Sequence, residues 1–159
     1  MWTYNIKTIE WYISVSFVHN KLTKTWRPEK RAKNLPELNN QEGENWKKVK
    51  KFFEYFFDRN FKKADEIKQK IYIELNGTFF QTKVWNAIKK IEAGTTVSYK
   101  KIGENIWSKA IQAIGTACGK NPLPIIIPCH RVITNTGKIG GWSGKLDKKK
   151  MLQNEWISI

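Results

Sequence analysis

Cysteine and histidine are scarce in this chain, two of each among 159 residues. Cys118 and Cys129 form no CxxC pair, and His19 and His130 add too little for a zinc-type cluster. No metal and no cofactor are therefore expected. Long apolar runs are missing as well: nothing approaches the ~18 residues of a membrane span, and Met1-Trp2-Thr3-Tyr4 opens no signal peptide. The expectation is a soluble, cytoplasmic protein, in a compartment where a free thiol survives. Acidic residues are the third shortage, 14 against 29 Lys plus Arg, for a formal charge of +15. Such an excess favours polyanions, because each neutralised phosphate releases condensed counterions. Simple solubility would leave the same signature.

Aromatic residues, by contrast, are plentiful. Eight Trp and eight Phe in a chain that is 40% apolar suffice for the cores of one or two small domains. Trp11 to Val18 is aromatic and β-branched with partial alternation, His19-Asn20-Lys21 makes a polar turn, and Leu22 to Trp26 follows, so a hairpin is expected. Residues 27–41 read as a loop. Trp46, Val49, Phe52, Phe53, Phe56 and Phe57 then recur at helical spacing, an amphipathic helix whose aromatic face needs a partner. A membrane surface would also take such a face, but an aromatic stripe more often means core. Residues 58–70 are charged and lack apolar rhythm, and Ile71-Tyr72-Ile73-Glu74-Leu75 reads as a strand. A domain boundary is placed there, giving units 1–75 and 76–159.

In the second unit Thr78 and Gln81 form a capping box, opening a helix with Phe80, Val84, Ile88 and Ile91 inward and Gly94 at its end. Ser98 caps the next helix, from Tyr99 to about Ile106. After a turn at Trp107-Ser108, a further helix runs from Lys109 to about Gly119, burying Ile111, Ile114 and Cys118. Two short helices joined by a tight turn in a basic chain have the form of a helix-turn-helix. The opposite face of the last one carries Gln112, Gly115, Thr116 and Gly119, small enough to lie against DNA or against another helix. Asn121 before Pro122 ends it.

Ile125-Ile126-Ile127 reads as a buried strand, ended by Pro128, with Cys129 emerging where it stops. A thiol so placed ionises more easily beside hydrogen-bonding or cationic neighbours such as His130 and Arg131. Adjacent side chains on extended backbone point apart, so a water or a turn at Pro128 has to connect sulfur and imidazole. Taken alone, a Cys after an apolar strand is most often a core residue. The glycine-rich Ile139 to Gly144 lets backbone approach a ligand closely. Lys145, Lys148, Lys149 and Lys150 read as a solvated basic face.

Five groups of residues together resemble the O6-alkylguanine-DNA alkyltransferases, over residues 77–155. They are Gly77-Thr78-Phe79-Phe80-Gln81 with Val84-Trp85, Thr96-Val97-Ser98-Tyr99, Gly115 before Asn121-Pro122, Ile127-Pro128-Cys129-His130-Arg131-Val132, and Gly140-Gly141-Trp142-Ser143-Gly144. The resemblance implies an α+β fold: a small N-terminal sheet-plus-helix domain, then a mostly helical, winged-helix-like domain built on the helix-turn-helix. It implies repair of double-stranded DNA by one-time transfer of an alkyl group from O6 of guanine, less readily O4 of thymine, to Cys129 after base flipping.

The resemblance also implies roles. Cys129, His130, Glu155 and Tyr99 are the catalytic candidates, with Glu155 orienting His130. Tyr99, Gln112, Gly115, Asn121, Arg131, Val132, Trp142 and Ser143 are the DNA- or base-contacting candidates, Asn121 acting as a hinge and Trp142-Ser143 as part of a pocket lid. At the position of Gln112 the family usually has Arg. Some relatives hold zinc in the N-terminal domain, but here no Cys precedes Cys118. A monomer without membrane contact is expected, with no second Cys poised to accept the alkyl group.

Overall fold

The computed structural model describes residues 2–7, 12–25, 43–140 and 148–158. Its chain divides into two compact units, residues 1–75 and 76–159. Among the described residues no helix is long and apolar enough to cross a membrane.

The first unit holds a three-stranded antiparallel sheet in the order β1 (Trp2–Lys7), β2 (Tyr12–Val18), β3 (Lys21–Thr25). The hairpin turn works because His19 and Asn20 both take positive φ, 45° and 60°, the geometry that matches the twist of the strands it joins. β1 is an addition to the expected hairpin. Its sequence mixes polar and apolar residues too evenly to announce a strand, and pairing with β2 supplies what propensity does not.

Helix α1 (Glu44–Phe57) buries Trp46, Val49, Phe52, Phe53 and Phe56. Phe17 of the sheet meets Trp46 edge to face at 5.9 Å, so the aromatic stripe is core. Residues read as a charged connector instead contain helix α2 (Phe61–Lys68), which buries Phe61, Ala64 and Lys68. Phe56 and Phe61 pack edge to face at 5.5 Å and join the two helices. The expected strand Ile71–Leu75 is reduced to one isolated bridge, Ile73 beside Leu22. Asn45 supports it, donating to the Asn20 and Tyr72 carbonyls and accepting from the Tyr72 amide.

The second unit begins with α3 (Phe79–Lys89), where Thr78 and Gln81 form the full reciprocal capping box. The helix stops at Lys89, short of Gly94, which takes its positive φ in the loop beyond. β4 (Val97–Ser98) leads into α4 (Tyr99–Asn105), capped by the Ser98 hydroxyl, and α5 (Ile111–Gly119) follows after an exposed Trp107 at φ 59°. The inward side of α5 is Ile114, Ala117 and Cys118; Ile111, expected inside, is exposed because the helix starts two residues late. The crossing of α4 and α5 depends on Gly103, where a Cβ would stand 2.6 Å from the Ser108 carbonyl oxygen. Trp85 on α3 donates to the Ala117 carbonyl at 2.8 Å and fastens α3 to the end of α5.

The triple isoleucine is no strand. Ile125, Ile126 and Ile127 are buried, but Ile125 sits at φ 76° and the segment folds into a turn closed by a Pro124–Ile127 bridge. A β-branched residue in that region is a strained outlier. Cys129–Arg131 then form a short 3-10 helix, and β5 (Val132–Ile133) pairs in parallel with β4. Because the pair is parallel, Tyr99, just after β4, leaves beside Thr134, just after β5, and the cysteine turn enters at the other end of the ladder. Helix α6 (Lys148–Asn154) ends the unit.

Candidate active site

The site is assembled around the Cys129 sulfur, which is 3% exposed. Because Ile125 reverses the chain, the Cys129 amide bonds the Ile127 carbonyl at 2.8 Å and the sulfur is presented on a turn. Asn121, just past the end of α5, works as a clamp. Its Oδ1 accepts from the Leu123 amide at 2.9 Å, and its Nδ2 donates to the Ile127 carbonyl at 2.7 Å and to Cys129 Sγ at 3.2 Å. A donor aimed at sulfur favours thiolate over thiol. The expected hinge therefore also touches the nucleophile.

His130 and Arg131 face the other way, toward a carboxylate. Glu155, in the turn that closes α6, lies 2.8 Å from His130 Nε2 through Oε1. It also takes two bonds from Arg131, Nε to Oε2 at 2.9 Å and Nη2 to Oε1 at 3.0 Å. Arg131 Nη1 donates to the Ile91 carbonyl at 2.7 Å. Burial alone would raise the Glu155 carboxyl, but the bond and charge of His130, then those of Arg131, outweigh it and bring it down to about 2. Burial holds the His130 imidazole below its ordinary value, against the pull of Glu155. A neutral ring facing an ionised carboxylate carries its proton on Nε2, which leaves Nδ1 as the basic nitrogen. Arg131 then supplies the charge that keeps Glu155 ionised.

Two expected DNA contacts are corrected by this geometry. Arg131 is 2% exposed and its guanidinium is spent on Glu155 and Ile91. Val132 is fully buried, paired with Val97 in the β4–β5 ladder. Neither side chain reaches the surface, because the apolar neighbours on both sides draw this segment into the core.

Lys148 and Cys118 were not expected here. Lys148, read as solvated, is buried; its ammonium donates to the Val132 carbonyl and lies 5.8 Å from the centre of the Tyr99 ring. A signal existed, since Lys148 falls on the helix face of Leu152 and Glu155 rather than with Lys149 and Lys150. Cys118 and Cys129 shift one another's ionisation, so a second thiol lies nearer than expected. Cys129 is pushed well up, first by Cys118 and then by burial, while Asn121 and Lys148 pull it down. Cys118 is lowered, first by Cys129.

Tyr99 completes the wall. Its hydroxyl is pushed up to about 12, first by burial and then by the two cysteines, so it stays a proton donor. Gly140 lies against its ring, where a Cβ would sit 3.0 Å from Cε2. On α5, Gln112, Thr116 and Gly119 are exposed, and a Cβ added at Gly115 would meet nothing within 4 Å. Trp142 and Ser143, with the other lid residues Gly141 and Gly144, lie outside the described residues.

Fold and site define a small α+β protein in which a buried cysteine, clamped by an asparagine amide, adjoins a histidine–glutamate–arginine cluster. Residues 79–156 match the family described as 6-O-methylguanine DNA methyltransferase, DNA binding domain. The methylated-DNA–protein-cysteine methyltransferase of Mycolicibacterium paratuberculosis is 46% identical over 83 residues, 52% of this chain and 50% of that protein. The enzyme of the same name from Methanosarcina acetivorans is 49% identical over 77 residues, 48% of this chain and 49% of its own. The matched stretch thus spans about half the length of these curated relatives. Among solved structures, Mycobacterium tuberculosis OGT in complex with DNA superposes with a TM-score of 0.71 at 27% identity, covering 98% of this chain and 92% of that one.

Proposed function

We propose that this protein repairs DNA by moving an alkyl group from O6 of guanine, and less readily from O4 of thymine, onto Cys129, once per molecule. The observation that carries the reading is the Asn121 amide on Cys129 Sγ, one residue from an imidazole already committed to Glu155. The Cys129 proton leaves through water to His130 Nδ1, and Glu155 with Arg131 stabilises the cation that results. The thiolate then attacks the alkyl carbon in line. A sulfur–carbon bond forms, the carbon–O6 bond breaks, and guanine takes its electron pair with a proton delivered by the Tyr99 hydroxyl to a ring nitrogen. No cofactor enters this scheme.

The lesion reaches a buried sulfur only if its base leaves the stack, and a weakened pair costs less to open. In this reading α4 and α5 form the helix-turn-helix, with the small face Gln112, Gly115, Thr116 and Gly119 against the minor groove. Gln112 fills the space the base vacates, and the first unit gives structural support. The product is a thioether, from which water does not readily displace sulfur, so the protein stops after one event. Mass analysis after exposure to duplex carrying O6-methylguanine is expected to find one methyl, on Cys129, with one lesion repaired per protein. An unmodified Cys129, or many turnovers per protein, would sink the reading.

A further inference from the structure

The turn between α4 and α5 holds a large side chain that the fold does not use. Helix α4 ends in a Schellman-type cap: the Trp107 amide bonds the Glu104 carbonyl at 3.2 Å and the Ser108 amide bonds the Gly103 carbonyl at 2.9 Å. Such a cap puts Trp107 at φ 59°, a conformation that glycine takes without strain. Its ring is 94% exposed, so no packing offsets the strained backbone. The surroundings are cationic and aromatic. The Lys83 ammonium donates to the Ile106 carbonyl at 3.2 Å, one residue from Trp107, and stands 5.6 Å from the centre of the Phe79 ring, itself 81% exposed. Lys83 thus joins Phe79 and the turn into one surface. Lys109, two residues beyond Trp107, is exposed as well, and Gln112 follows in the first turn of α5. Between Glu92 and Asp147 the sequence holds one acid, Glu104, and it pairs with Lys101 at 3.3 Å.

We propose that Trp107 is a stacking residue for nucleic acid, its indole lying on a base that has left its pair, with Lys83 and Lys109 toward the neighbouring phosphates. Charge and shape together point to this occupant. An open ring among lysines, with the one nearby acid already paired, suits a polyanion that carries flat apolar groups. Base–aromatic stacking is indifferent to sequence, because every base has a π-face. A fully paired duplex keeps its base faces inside the stack, so the contact forms only where a pair is open. Gln112, close by in the chain, brings little bulk to such a gap, and the indole supplies apolar surface that Gln112 lacks. That Trp107 works beside a flipped lesion rests on the function proposed above; that it stacks on unpaired bases rests on this surface alone.

The experiment measures binding of the full chain, at one salt concentration, to three lesion-free oligonucleotides: a single strand, a duplex with one mismatched pair and the same duplex fully paired. Trp107→Gly is expected to bind the first two roughly 10-fold more weakly than wild type and the paired duplex about equally. Trp107→Phe, which keeps an aromatic face, should retain most of the affinity. Binding of the single strand should quench tryptophan emission in wild type and quench it less in Trp107→Phe. Because glycine suits φ 59°, Trp107→Gly should melt no lower than wild type, so that lost binding is not lost folding; Trp107→Ala is the second variant should Gly loosen the turn. Trp107→Gly binding all three as wild type does, an equal loss on all three, or the same quenching in Trp107→Phe overturns the proposal. So does a wild type that sediments as a dimer and a Trp107→Gly that sediments as a monomer, which would assign the surface to a second copy. None of the probes carries an alkyl group, so a failure of alkyl transfer would count against the repair reading and leave this test standing.

Discussion

Each unit buries polar side chains, and they are satisfied in different ways. In the first, Asn45 spends its amide on the backbone of Asn20 and Tyr72, Ser14 bonds Asn5 across a strand pair, and Lys68 meets Asp65 one helical turn away. In the second, Arg131 and His130 from the 3-10 helix and Glu155 from the end of α6 are all charged or titratable and all buried, while Lys148 and Asn121 link the same region to Cys129. In the first unit buried polar groups are met by backbone or by a neighbouring side chain. In the second they are chained, and the chain lies beside the Cys129 thiol.

The comparison breaks most sharply at Arg131. Removing it as Arg131→Ala leaves the Glu155 carboxylate buried with no permanent charge beside it, and such a loss costs ~3–5 kcal/mol. Lys68→Met in the first unit leaves Asp65 partly open to water, and the expected cost is at most about 1 kcal/mol. Urea unfolding of both variants measures the contrast. Equal costs would mean that the second unit's cluster is no more interdependent than a single ion pair within one helix.

Phe53→Ala sharpens the same contrast from the apolar side. Phe53 is fully buried between the edges of Phe52 and its neighbours on α1, and truncation there costs ~3–5 kcal/mol. Its signature should be a lower midpoint at every pH with an unchanged pH profile, whereas Arg131→Ala should change the profile itself.

That profile follows from two groups depressed in the folded state. His130 binds a proton less readily folded than unfolded. Its contribution is complete above the unfolded value of about 6.5 and is lost as pH falls below it. Glu155, at about 2 when folded, adds stability above its unfolded value of about 4.3, on the order of 3 kcal/mol, lost as pH falls from there toward 2. Stability should decline in two steps on acidification. His130→Gln is expected to erase the upper step and shrink the lower one, and a single step near pH 4 in wild type would show that His130 is not held neutral.

How much of this was legible depends on whether the signal is local. The capping box at Thr78, the Ser98 cap and the aromatic stripe of α1 are local, and all were readable. α2 was missed because only Phe61 and Ala64 mark its inner face, too few for a rhythm among charges. The Ile125 turn was misread because three isoleucines favour a strand, and only tertiary packing sends one of them to positive φ. At the site, the His130–Glu155 contact expected from the resemblance is present, and Asn121 reaches Cys129. Arg131 and Lys148 were placed on the surface because charge predicts exposure unless a partner is known, and their partners lie on other elements.

The smallest expected effect on the fold tests the surface that the proposed function sets against DNA. Gln112 stands exposed in the first turn of α5, and its carbonyl accepts from the Thr116 hydroxyl at 3.1 Å. Gln112→Arg keeps that backbone bond and should change stability by no more than about 0.5 kcal/mol. A guanidinium brings bulk to wedge into the stack and a charge that Gln lacks. Single-turnover transfer from O6-methylguanine duplex should therefore quicken several-fold. If the new charge meets a phosphate, the slope of log affinity against log salt should steepen by about 0.9. A faster rate with an unchanged slope would place the side chain among the bases, and no change in either would move the DNA away from this face of α5.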